Sequence, residues 1–288
     1  MSEIVTNLSK MKTTLGDVVQ YELQTDSSSI SLNEWIGSEV KIKFKGIIQC
    51  SNCEKIIPKS YAGGFCYQCM QSLPQADMCM VKPELCHFSR GTCRDEAWGQ
   101  KHCFKKHYVY LARSSGIKIG ITSENPPETR WMDQGAIEAM VIAEVPDRKT
   151  SGLIETAISA HIHDKTDFRK MLRGEVAEGS LEDTFATVSN YVPDNLKSHL
   201  LNKRDIVHIH YPVQKAPEKI KTVKLDNQEE ISSELTGIKG QYLIFKDFVF
   251  NVRSHNGYRV SIEGKVNPNP PDFTIKQEEK EPSLFDFF

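Results

Sequence analysis

The sequence predicts an α+β protein organised around a cysteine-rich, metal-binding segment. Three observations carry that reading. All eight cysteines fall between Cys50 and Cys103. Runs that are β-branched or alternate apolar with polar residues, as half-buried strands do, lie on both sides of them. Between the cysteines and the second β-rich region, apolar residues recur at helical spacing.

Taken in order, DVVQYEL and SEVKIKFKGIIQC read as strands within residues 18–49. HYVYLARSSGIKIGIT reads as two strands joined by a turn at Ser114, Ser115 and Gly116. NPPETRWMDQGAIEAM opens on two prolines and continues as a helix, and AMVIAEVPD is a third strand. SGLIETAISAHIHD is a helix with Ser151 as N-cap; Leu153, Ile154, Ala157, Ile158 and Ile162 form its apolar stripe. LEDTFATVSNYVPDNLKSHLL continues as helix and connection. From Ile206 to Gly264 the chain is β-rich again, and Asn256-Gly257 carries a hairpin signal. The two β-rich ends are expected to pair. The resulting organisation is a β segment (1–49), a cysteine segment (50–106), a central αβ region (107–200), a second β segment (201–264) and a polar, Pro-rich tail (265–288) whose composition predicts disorder.

Cys50, Cys53, Cys66 and Cys69 form C-x2-C-x12-C-x2-C. Each pair fits a tight turn that aims two sulfurs at one point, and two turns complete a tetrahedral thiolate site for zinc. Gly63 and Gly64 stand where the second turn needs them. The competing reading is two disulfides in a secreted protein, a context that nothing else in the chain fits. Cys79, Cys86, Cys93 and Cys103 follow at spacings x6, x6 and x9, with His87 and His102 beside them. This stretch has too few apolar residues for a core, so a second zinc is expected on these four thiols, with His87 or His102 as alternative ligands. Reduced, buried structural cysteines are the alternative. Both sets read as structural, because four thiolates leave no open position for a catalytic water. His208 and His210 share a strand face and carry no assignment.

Composition excludes some classes. No run is long and apolar enough to span a bilayer, and MSEIVTNLSKMKTTLGD lacks the apolar core of a signal peptide. A cytoplasmic location with reduced thiols, and no membrane partner, is therefore expected. The net charge of −2 argues against a wholly basic nucleic-acid binder, although KHCFKKHYVYLAR is locally basic.

The run YVYLARSSGIKIGIT, with Arg130 and Glu155 downstream, resembles the GIY-YIG endonuclease superfamily. Tyr108-Val109-Tyr110 stands where Gly-Ile-Tyr falls in that family, and Lys118-Ile119-Gly120 where Tyr-Ile-Gly falls. Arg130 matches the helical arginine and Glu155 the metal-binding glutamate. The resemblance covers roughly residues 107 to 165 and departs at Lys118 and at Gln134, where the family often has histidine. Over its full length the chain resembles an uncharacterised prokaryotic family with the same order of cysteine cluster, HxVYLA, KIGIT, RWxDQGA and GIKGQYL.

The resemblance implies a GIY-YIG-like αβ centre and metal-dependent phosphodiester hydrolysis in DNA repair or replication. Tyr108, Tyr110, Lys118, Arg130 and Glu155 are the implied catalytic residues. Tyr110 would lie against the phosphate or assist the water, Lys118 serve as base or electrostatic clamp, and Arg130 grip phosphate oxygens in bidentate fashion. Glu155 would hold one magnesium or manganese ion that keeps most of its waters. The alternative is a non-catalytic nucleic-acid-binding or adaptor protein with the same fold; action on RNA is a third reading.

The tail EPSLFDFF resembles the peptide that replication proteins insert into the PCNA sliding clamp. Leu284, Phe287 and Phe288 fit the three apolar anchors, and Glu281 replaces the usual glutamine. The implied partners are DNA and the clamp, with an archaeal source. Tethering would reduce the need for a basic surface. A tail folded back on its own domain is the competing reading.

Overall fold

The computed structural model describes residues 3–123, 127–162 and 167–273. The N-terminal region contributes β1 (Ile4–Asn7), β2 (Lys12–Thr14), β3 (Gln20–Gln24), β4 (Ser29–Ser31) and the long β5 (Glu39–Gln49). The cysteine segment holds a two-residue strand, β6 (Ile56–Ile57), and two short helices, α1 (Tyr67–Ser72) and α2 (Glu96–His102). The centre runs β7 (His107–Arg113), β8 (Ile117–Thr122), α3 (Glu128–Asp133), β9 (Glu138–Val145), α4 (Arg148–Ser159), α5 (Phe168–Arg173) and α6 (Leu181–Val188). There follow β10 (Ile206–His208), β11 (Thr222–Val223), β12 (Glu230–Lys239), β13 (Tyr242–Phe245), β14 (Val249–Asn251) and β15 (Tyr258–Gly264).

Among the described residues the strands form three sheets. The largest joins both ends of the chain in the order β1-β15-β5-β12-β13-β14-β11, with β6 added to β5. The central sheet is antiparallel in the order β10-β9-β7-β8, so β10 belongs with the centre rather than with the β-rich region that follows it. A small sheet, β2-β3-β4, completes the set.

The central sheet is buried on both faces, which explains the near-continuous apolar run of β7. Val109, Leu111, Met140 and Ile142 pack against Ile154 and Ile158 of α4 and Leu181 and Phe185 of α6. Tyr110, Ala112 and Ala139 face the other way, into a core shared with Trp131, Ile42, Leu235 and Phe250. Tyr110 thereby becomes fully buried.

Two local expectations change, and one strand appears that local pattern did not single out. EISSELTGIK, which shows no clean alternation, forms β12; a bulge between Leu235 and Gly237 shifts its register. It pairs with β5, where Lys41 and Lys43 reach Glu230. Asn256-Gly257 does not make a hairpin of paired neighbours: Gly257 takes φ +88°, but β15 lies between β1 and β5, away from β14. Helix α4 is capped by Asp147, whose carboxylate accepts from the Thr150 N–H at 2.8 Å; Ser151 sits inside the helix and donates to the Arg148 carbonyl.

Candidate functional site

Cys50 directly follows β5, and Cys66 caps α1 with its sulfur accepting from the Cys69 N–H at 3.4 Å. Glu54 (φ +59°) and the Ala62-Gly63-Gly64 run (φ +40°, +89°, +116°) supply the reversals that turn each pair inward. All four cysteines are free, and their sulfurs lie within 4.8 Å of one another. Cys53 Sγ and Cys66 Sγ are 3.9 Å apart, near the edge of about 3.8 Å of a zinc tetrahedron with bonds of about 2.3 Å. The Cys66 N–H donates to Cys50 Sγ at 3.1 Å, and Asn52 Nδ2 donates to Cys69 Sγ at 3.5 Å. Burial opposes ionisation of Cys50, but donors from Cys53, Cys66 and Asn52 outweigh it and bring the thiol down to about 6. Burial, followed by sharing with Cys66 and Cys53, raises Cys69 to about 12. A thiolate site with outer N–H donors fits zinc.

The second set is looser. Cys79, Cys86, Cys93 and Cys103 line one small cavity of about 20 Å³. The close trio of possible ligand groups there is instead Asp77, Cys79 and His87. Asp77 is already engaged, accepting from the Cys79 N–H at 3.1 Å, from Arg94 Nε at 2.7 Å and from His87 at 3.4 Å. His102 stacks on Trp98 at 4.5 Å.

Between this segment, the central sheet and the loop after β14 opens a cleft of about 930 Å³. Tyr110, Lys118, Arg130 and Glu155 all line it, from β7, β8, α3 and α4 respectively. Tyr108, half-buried two residues earlier, does not. Lys118 pairs with Ala112 across the ladder and so shares the face of Tyr110. Gly120 faces Tyr110 directly, and a Cβ there would stand 2.5 Å from the phenol oxygen. The glycine of Lys-Ile-Gly therefore makes room for the ring. Tyr110 Oη donates to Gln134 Oε1 at 3.2 Å, and burial pushes its pKa up to about 12 despite the opposing Arg130 guanidinium.

Arg130 is positioned from below. Asp133, three residues on, pairs with Lys10 and accepts from Gln241 Nε2 at 2.8 Å. Gln241 also accepts from the Met11 N–H at 2.8 Å and donates to the Met11 carbonyl at 3.1 Å. RWMDQGA and GIKGQYL thus meet in space as a lock between α3, the β12–β13 hairpin and the N-terminal segment.

The sequence reading did not single out Arg148. It lines the cleft from the first turn of α4, donates through Nη2 to the Met80 carbonyl at 2.8 Å, and has its pKa lowered by burial. Four residues further along α4, Gly152 lets Pro83 and Glu84 approach: a Cβ would be 2.6 Å from Pro83 Cβ. Arg253 adds a further cation. Among the described residues lining the cleft, the cations Lys118, Arg130, Arg148 and Arg253 outnumber the carboxylates Asp77 and Glu155, so this lining is electropositive in a chain of net charge −2. The only signal for Arg148 was its place after an Asp N-cap, which does not distinguish it from a surface residue.

Leu284, Phe287 and Phe288 lie outside the described residues. Among the described residues, no helix is long and apolar enough to cross a membrane. No curated protein and no solved structure matches the chain. The profile of a protein family of unknown function, DUF2797, matches residues 37–260, from β5 through the first cysteine set and the cleft into β15, and the chain belongs to that family.

Proposed function

We propose that the chain is a metal-dependent endonuclease acting on DNA, with a GIY-YIG-like centre and a zinc-bound wall. The observation that carries the reading is that Tyr110, Lys118, Arg130 and Glu155, from four separate elements, line one electropositive cleft. The order β7, β8, α3, β9, α4 supports it, since it puts these residues on the elements that the resemblance implies.

Glu155, half-buried in that cleft, has the oxygen ligand that magnesium or manganese takes, and such an ion stabilises the leaving oxygen of a phosphodiester. Arg130 grips non-bridging oxygens with its planar fork, and Arg148 adds charge on the same side. Tyr110 donates its single O–H proton to Gln134 and so orients that amide toward the phosphate, while burial raises the phenol pKa and disfavours a role as base. Lys118 lies on the same face and supplies a cation to the developing charge. The tail residues Leu284, Phe287 and Phe288 would tether the enzyme to the sliding clamp, and a second zinc would brace Cys79, Cys86, Cys93 and Cys103.

The departures from the family pattern at Lys118 and Gln134 favour one competing reading, a non-catalytic nucleic-acid-binding protein of the same fold. Incubation with flapped and branched DNA, and with matching RNA, in magnesium or manganese separates the two. Cleavage that falls about 10²–10³-fold in Arg130→Ala and disappears in Glu155→Gln supports the enzyme. Binding without cleavage by the wild type supports the binder. Cleavage confined to RNA changes the substrate. Calorimetry against a purified clamp should show binding that is lost on deletion of Leu284 to Phe288, while zinc content stays constant.

A further inference from the structure

We propose that a second pocket, floored by Lys239, binds a small organic oxyanion, a carboxylate or phosphate monoester carried on an apolar body. The pocket has a volume of about 440 Å³ and shares no lining residue with the cleft. It lies between β9, β10, α5 and the β12–β13 hairpin.

Lys239 is 8 % exposed. Among the described residues no carboxylate pairs with it; its ammonium stands 5.3 Å from the centre of the Tyr211 ring. A buried cation held only by a ring face is costly unless an anion completes it. Other charges in the pocket do not do so. Glu138 is taken up by Arg113, whose Nε lies 2.7 Å away, with His208 at 3.7 Å on its other oxygen. Arg113 is spent on Glu138 and on the carbonyls of Ala177 and Gly179. Tyr211 directs its hydroxyl to the Ala136 carbonyl at 2.7 Å, leaving its ring as a wall.

Ile137, Leu172, Ile209 and Val213 make the apolar walls, and the exposed His208 and His210 are the polar residues beside them. One uncompensated cation at the base of an apolar pocket of this size selects a ligand with one anionic head and an apolar body. Burial also brings the Lys239 pKa down to about 8, as expected of an ammonium lacking its counter-ion. The site is built to hold its shape, because the hairpin carrying Lys239 is pinned two residues on by Gln241 to Asp133 and Met11.

Full-length protein is titrated with benzoate, phenyl phosphate and uncharged benzyl alcohol at constant ionic strength, following the amide signals of Ile209 and Lys239 by NMR. An Arg130→Ala background removes the main anion-binding group of the cleft. At least one acid is expected to saturate these shifts, with benzyl alcohol about tenfold weaker or worse. Lys239→Met should weaken the acid by a similar factor and leave benzyl alcohol unchanged. The acid that binds tighter assigns the head group. Ala216→Trp, at the exposed rim, provides a second variant that leaves the lysine in place and should block both probes. Equal binding of acid and alcohol, an unchanged response in both variants, or no saturable shift from any probe would overturn the proposal.

Discussion

The two cysteine sets carry the same number of thiols and end in different geometries. Cys50, Cys53, Cys66 and Cys69 converge within 4.8 Å, whereas Cys79, Cys86, Cys93 and Cys103 are spread around a cavity. The difference lies in the backbone. In the first set each x2 spacing forms a knuckle whose N–H groups point at sulfur, so the sulfurs are aimed before a metal arrives. In the second set the x6, x6 and x9 loops are held by other means: the Asp77 hub, the seat of Pro83 on Gly152, and Arg148 on the Met80 carbonyl. Spacing alone specifies a thiolate site only when it is short enough to dictate the turn.

The most severe way to test this contrast is to remove one sulfur from each set. Cys66→Ser should lose the knuckle zinc and unfold residues 50–73, since structural zinc supplies an apparent stabilisation of about 10–16 kcal/mol. Cys86→Ser should leave that zinc bound and produce a smaller fall in melting temperature. Elemental analysis is expected to give two zinc ions per wild-type chain; a value of one would reduce the second set to buried thiols.

A less drastic change asks whether the opposite wall depends on packing rather than metal. Gln241→Ala leaves the Met11 backbone and Asp133 short of partners and should cost on the order of 3 kcal/mol in urea unfolding, with zinc content unchanged. Gly120→Ala forces Tyr110 out of place and should cost about 1–3 kcal/mol; a neutral result would mean that the ring is not seated on the glycine.

The smallest expected effect concerns the Asp77 hub. Burial opposes its charge, but the Cys79 N–H, His87 and Arg94 together hold its carboxyl below the usual range. A depressed pKa contributes stability that is full above the unfolded value of about 4 and is lost as pH falls through the lower folded value. The stability gap between wild type and Asp77→Asn should therefore be constant at neutral pH and close below about pH 4. A gap that widens in acid would remove Asp77 from its assigned role.

Much of this architecture was legible because particular residues admit few conformations. The knuckle spacing, the Ser114–Gly116 turn and the strands around Tyr110 and Ile119 were readable from local pattern. β12 was not, because a bulge breaks its period and its polar face carries Glu230 and Glu234 toward solvent and β5. The N-terminal β1 was invisible for a different reason: its pairing with β15 spans nearly the whole chain and leaves no local mark. At the cleft, the residues aligned by the resemblance converge except for Tyr108, which stays outside. Arg148 escaped notice because only tertiary packing of α4 on the cysteine segment turns it inward, and GIKGQYL acquired a reason only when Gln241 was seen to reach Asp133.

The nuclease proposal rests on Glu155 holding a divalent ion beside Tyr110 and Arg130. Paramagnetic broadening by manganese tests it without relying on turnover. In the wild type, substoichiometric Mn²⁺ should broaden the amide signals of Gly120, Thr122 and Gln134, which line the cleft, and spare those of the distant β2–β3 ladder; in Glu155→Gln the cleft signals should stay sharp. Cleft signals that remain sharp in the wild type, or that broaden equally in the variant, would rule out Glu155 as the ligand of such an ion.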